Sequence, residues 1–149
     1  MALRALQSDL TWEYRSKHDP DREGPNATVF TLGSVSSRVQ AIARDRATEF
    51  IPDRDDPAQT IARINGAHSQ IELCKHGLRG WKNFIDESGD EIKFKTVKRH
   101  VGGRDVMLVS DECIDYLPLA VIEELAEEIS NKNTLKEEEA KNSEGSPSR

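Results

Sequence analysis

The stretch GLRGWKNFIDESGDEIKF, residues Gly77 to Phe94, decides how the chain folds. Gly77 and Gly80 interrupt whatever precedes them, because glycine reaches backbone conformations that end a helix. Trp81, Phe84 and Ile85 then supply three of the chain's larger apolar groups. Asp86-Glu87-Ser88-Gly89-Asp90 reads as a tight polar turn, and Ile92-Lys93-Phe94-Lys95 alternates as a half-buried strand does. An aromatic anchor between glycines, followed by a turn and a strand, predicts a seam between a helical half and a β half. Its residues are Gly77, Gly80, Trp81, Phe84, Gly89 and Phe94.

Upstream of the seam, Thr11 to Lys17 alternates polar with aromatic residues, which predicts a strand with Trp12 and Tyr14 on one face. His18 to Asn26 is rich in turn formers and reads as an exposed loop, and Ala27 to Leu32 as a second strand antiparallel to the first. Ser34 or Ser36 can cap a helix running to about Thr48, with Val35, Val39 and Ile42 on its inner side and Arg38, Arg44, Asp45 and Arg46 outside. Phe50 to Asp55 reads as a loop. Asp56-Pro57 then predicts the start of the longest helix, in which Thr60, Ile64, Ala67, Ile71, Cys74 and Leu78 form an apolar stripe and Gly77 is the C-terminal cap.

Downstream, Glu91 to His100 and Asp105 to Ser110 read as a central hairpin turning at Gly102-Gly103, a pair suited to positive φ. Phe94 points inward and the lysines beside it outward; Val106 to Val109, apolar on both faces, predicts the more central strand. Ser110 or Asp111 opens a short helical turn, and Pro118 the last main helix. In that helix Ile122, Leu125 and Ile129 face the core while Glu123, Glu124, Glu127 and Glu128 face water. Thr134 with Glu137 predicts a capping box for one more turn, and the composition beyond Asn142 is that of a disordered end. The expected fold class is α+β: a small antiparallel sheet of N-terminal and central hairpins against three to four helices. A flexible N-terminus over residues 1–10, a single domain over 11–131 and an acidic, partly disordered tail over 132–149 complete it.

At 149 residues, one core is enough to bury roughly two thirds of the unfolded surface. With 36% apolar and 32% charged residues that core must be lean. Cys74 and Cys113 lie far apart and form no CxxC pair, so reduced thiols are expected rather than a disulfide framework. Residues 1–7 lack the apolar core of a signal peptide, and no run of about 18 apolar residues could span a bilayer. The net charge of -6 is unevenly spread: Lys93, Lys95, Lys98, Arg99 and Arg104 form a basic segment without acids, while eight glutamates crowd residues 123 to 149.

None of the chemistry-bearing residues makes a reaction site by spacing. Cys74, His76 and His68 lack the second close pair that a zinc site needs, and Cys113 has no histidine near it in sequence. Asp55-Asp56 suits a helix N-terminus better than an acid-base dyad. Asp86 to Asp90 lacks the odd-position ligands and closing glutamate of a calcium loop, and Gly102-Gly103-Arg104 lacks the spacing of a phosphate loop. No catalytic residue, cofactor or metal is expected. The basic segment could grip phosphates with Phe94 stacking a base, but an acidic whole protein and the habit of edge strands to carry lysine argue against nucleic acid. The Glu-rich helix reads either as a solvated face or as a partner surface.

The stretches SKHDPDREGPNATVFTLGSVSSRV (residues 16–39), CKHGLRGWKNFIDESGDEIKFKTVKRHVGGRDVMLVS (74–110) and LPLAVIEELAEEISNKNTLKEEEAKN (117–142) resemble a family of small tailed-bacteriophage proteins. HGLRGWKNFIDESGDEIKF with an acidic helical end resembles tail-assembly-chaperone-like members. The resemblance implies a non-enzymatic virion morphogenesis role, keeping an aggregation-prone tail protein soluble until it polymerises. It also implies a location in the host cytoplasm during phage assembly, or in the virion. The alternatives are a minor structural virion component of head, connector or tail, and an early phage protein that binds a host factor or nucleic acid through its basic strands. Lys93, Lys95, Lys98, Arg99 and Arg104, with Glu123, Glu127 and Glu128, are the expected partner-binding residues. The partners would be other phage structural or tail proteins or a second copy of the chain, with no membrane.

Overall fold

The computed structural model describes residues 2–3, 10–56, 58–64 and 66–145, without the side chains of 61, 63, 64 and 133–145. In chain order the elements are β1 (Thr11–Tyr14), β2 (Val29–Gly33), α1 (Ser37–Arg46), β3 (Thr48–Pro52), β4 (Thr60–Ile64), α2 (Gly66–Gly77), β5 (Leu78–Lys82), β6 (Thr96–Val101), β7 (Arg104–Val109), α3 (Asp111–Asp115) and α4 (Leu119–Gly145). The class is α+β, with all strand pairs antiparallel. The strands form a three-stranded sheet in the order β1-β2-β5 and two separate hairpins, β3-β4 and β6-β7.

Alternation builds the main sheet. Phe30 and Leu32 of β2 are buried, and Tyr14 of β1 pairs with Phe30 in register. On the other side Phe30 pairs with Trp81 of β5, the register slipping between Thr31 and Leu32 so that Leu32 meets Leu78. The core then runs from Phe30, Leu32, Leu78 and Trp81 through Cys74 of α2 and Cys113 of α3 to Leu125 and Ile129 of α4. Ser36 caps α1 by accepting from Val39 N, and Ser110 caps α3 by accepting from Cys113 N. In α4, Ile122, Leu125 and Ile129 form the buried stripe that the spacing predicts.

Five sequence expectations are corrected. The segment from Phe50 is not a loop followed by a long helix: β3 pairs with β4, Thr48 opposite Ile64 and Pro52 opposite Thr60, and α2 begins only at Gly66. Thr60 and Ile64 fit a helical stripe by spacing, but β-branched residues lose rotamer freedom in helices and suit a strand once a partner is in reach. Gly77 closes α2 without a left-handed φ, which among the glycines only Gly89, Gly102 and Gly103 adopt. A Cβ there would collide with the Ile129 side chain, so Gly77 lets α2 and α4 approach. The strand expected from Glu91 begins at Thr96, and β7 pairs only with β6, leaving Met107 59% exposed. The first strand ends at Tyr14, before Ser16 and Lys17.

Helix α4 continues as one backbone helix to Gly145, through the site of the expected Thr134 capping box. The remainder of the acidic tail, 146–149, and the N-terminal residues 1 and 4–9 lie outside the described residues.

Candidate partner-binding site

Of the seam residues, Phe84 and Phe94 come together around the Trp81 ring. The Trp81 indole packs edge-on against Phe84 (centroids 4.9 Å), Phe94 (5.0 Å) and Phe30 (6.5 Å), and its Nε1 donates to the Ile92 carbonyl at 2.6 Å. Asn83 makes this possible. It takes φ 59°, which turns the chain out of β5, and it is held there by donating Nδ2 to Ala27 O and accepting at its own carbonyl from Thr28 Oγ1 at 2.8 Å. The polar turn that follows is closed by Asp86, whose Oδ1 accepts from Ser88 N (2.9 Å) and Asp90 N (3.0 Å) while Gly89 takes φ 86°. The Asp86 carboxylate is thereby committed to its own backbone.

Phe84 and Ile85 emerge from this turn onto a groove of about 260 Å³. Phe30 and Val121 form part of its lining, Leu117 and Pro118 border it where α4 begins, and the loop carrying His18, Asp19 and Pro20 makes the opposite lip. That loop is fastened down. Asp19 accepts from Asp21 N and Thr28 N, both at 2.8 Å, and Glu124 of α4 accepts from Tyr14 Oη (2.9 Å), Ser16 Oγ (2.5 Å) and Lys17 N (2.7 Å). Burial raises the Glu124 carboxyl, but the hydrogen bonds from Ser16, Lys17 and Tyr14 outweigh it and hold the group below its ordinary value. Tyr14 responds in the opposite sense: burial, with the bond to the Glu124 carboxylate, pushes its hydroxyl up to about 12. These bonds tie residues 14–17 to α4 beside the groove.

The rim is acidic. Asp21 and Glu23 in the loop, Asp86 and Glu87 in the turn, and Glu123 and Glu127 of α4 are exposed, the last two following the 52%-exposed Leu119 at steps of four along the helix. Glu128, expected with them, is half-buried, and Glu124, expected on the wet face, is the anchor just described. Sequence reading missed Glu124 and Asn83: one is a glutamate among glutamates, the other an asparagine in a polar run.

The basic residues do not make one face. Strand alternation puts Arg99 on the side of Val97 and Val101, opposite Lys98. Lys98 pairs with Asp105 at 3.4 Å, which also meets His100 Nδ1 at 3.1 Å, and Lys95 reaches Glu112 at 3.8 Å. Arg104 lies apart, beside a second cavity with Arg38. Lys93 is exposed in the irregular stretch before β6.

The thiols are interior groups. Cys74 Sγ donates to Ile122 O, and burial pushes it up to about 12. Cys113 Sγ lies 3.3 Å from Lys95 N and 3.6 Å from Lys93 O, tying down the segment before β6. Among the described residues no three metal-ligating side chains converge, and no helix is long and apolar enough to cross a membrane. No known family model, curated protein or solved structure matches the chain.

Proposed function

We propose that this chain is a non-enzymatic bacteriophage virion-assembly protein, a tail assembly factor that shields an apolar segment of a tail protein until polymerisation. The observation that carries this is the apolar groove with Ile85 57% exposed on its wall. Such a site suits a short apolar segment, which would leave water in the groove. The resemblance of residues 76–94, with the acidic helical end, to tail-assembly-chaperone-like proteins supplies the phage setting. The virion-component alternative draws on hairpin β3-β4, where Phe50 is 74% exposed on a two-stranded unit of the kind that is marginal by itself.

Mass spectrometry of infected cells and of purified virions separates these readings. An assembly factor is abundant in the cell, co-purifies with one tail protein and is missing from the particle. Ile85→Asp abolishes that co-purification while circular dichroism stays unchanged. A fixed copy number in washed virions, or co-purification untouched by that substitution, defeats the proposal.

A further inference from the structure

The second cavity, about 270 Å³, lies where three distant parts of the chain meet. Ser36, Arg38 and Val39 come from the first turn of α1, Val101, Arg104 and Val106 from hairpin β6-β7, and His76 from the end of α2. Among the described residues no carboxylate lines it. Ser36 satisfies the Val39 amide at 3.3 Å, and the earlier amides of the helix have no intrahelical acceptor, so the positive end of a ten-residue helix opens on the cavity. Arg38 spends one donor on the Gly102 carbonyl at 2.9 Å, which fixes its guanidinium and leaves the rest of its fork free.

His76 is the independent sign that something is accommodated here. It is only 8% exposed, and its Nε2 is buried with no hydrogen-bond partner. An orphaned polar atom of this kind is costly unless a ligand or water completes it. Burial also lowers the imidazole below its ordinary value, so at neutral pH the ring is uncharged and can offer one N–H without adding a buried charge.

We propose that this cavity is a binding site for a small phosphomonoester, its phosphate held by Arg38, Arg104, His76 and the first turn of α1. Donors arriving from a helix end, two guanidiniums and an imidazole match a tetrahedral oxyanion, which accepts in several directions, better than a planar carboxylate. Val39, Val101 and Val106 line the cavity with apolar surface suited to the ester's organic part. The volume falls just below the roughly 300–1,000 Å³ of common ligand pockets, which restricts the ligand to a small one. The site lies on different residues from the groove proposed for protein partners, so either assignment can fail without the other.

The test is calorimetric titration of the whole chain with phenyl phosphate and with inorganic phosphate, at constant ionic strength against chloride, using wild type, Arg104→Gln and His76→Asn. Both phosphates bind the wild type, phenyl phosphate more tightly. Arg104→Gln, an exposed position, melts as the wild type does without ligand but binds about tenfold more weakly or worse. His76→Asn, which keeps a side-chain donor, binds more weakly while retaining the wild-type circular dichroism. A DNA oligonucleotide that gains affinity only when it carries a 5′-phosphate supports the site and names a nucleic-acid end as the source of the ester. Equal binding with and without that 5′-phosphate, tighter than phenyl phosphate, overturns the proposal in favour of a backbone-tracking surface. Absence of phosphate binding by the wild type, or unchanged binding by Arg104→Gln, also overturns it.

Discussion

Replacing Trp81 by alanine tests the packing on which the groove rests. The side chain is 8% exposed, so nearly all of its roughly 200 Å² leaves water on folding, worth about 5 kcal/mol at about 25 cal/mol per Å². That area figure is an upper bound, because the unfolded chain is itself partly collapsed. Large-to-small substitutions of buried tryptophan cost about 3–5 kcal/mol, and here the change also removes three edge-on ring contacts and orphans the Ile92 carbonyl. Against a total of about 5–15 kcal/mol the loss is a large share of stability. For a chain of this length it corresponds to a fall in Tm of about 6–20 °C. Thermal melts followed by far-ultraviolet circular dichroism measure it, and Trp12 remains as a fluorescence reporter. Trp81→Phe keeps an aromatic ring but not the bond to Ile92, so it should fall between the two. A Tm within about 2 °C of wild type for Trp81→Ala would refute the seam as the organising contact.

Further outcomes follow from particular contacts. Gly77→Ala should cost about 1–3 kcal/mol by forcing its Cβ against Ile129 Cδ1, and Ile129→Val, which lacks that methyl, should recover part of the loss in a double-mutant cycle of chemical denaturation. Glu124→Gln should cost about 1–3 kcal/mol at neutral pH and flatten the acid limb of the stability curve. The folded carboxyl titrates below its ordinary 4.5, so it binds fewer protons folded than unfolded; its contribution is full above about that pH and is lost as pH falls through the folded value. Tyr14 has the reverse sign, contributing below 10.0 and losing that contribution as pH rises towards about 12. Both thiols should resist a disulfide reagent in the native protein and react fully in denaturant, since Cys74 and Cys113 are buried.

Much of this molecule was legible along the chain, and the legible parts share a cause. The alternation in β1 and β2, the Ile122-Leu125-Ile129 stripe, the serine caps and the Gly102-Gly103 turn each depend on residues within a few positions of one another. Over such distances covalent geometry alone places side chains on one face or forces a positive φ. The tertiary structure decided what is distant. Residues 60–64 satisfy a helical stripe and a strand equally, and only the reach of β3 selects the strand. Gly77 is a plausible cap until Ile129 arrives beside it. Glu124 becomes an anchor only because folding carries Tyr14, Ser16 and Lys17 to it across more than 100 residues of chain. The cavity of Arg38, His76 and Arg104 is the same case, three residues on three elements with nothing in their local spacing to connect them. Local order is written in the spacing of neighbours, whereas sites arise where loops close, and loop closure is a property of the whole chain.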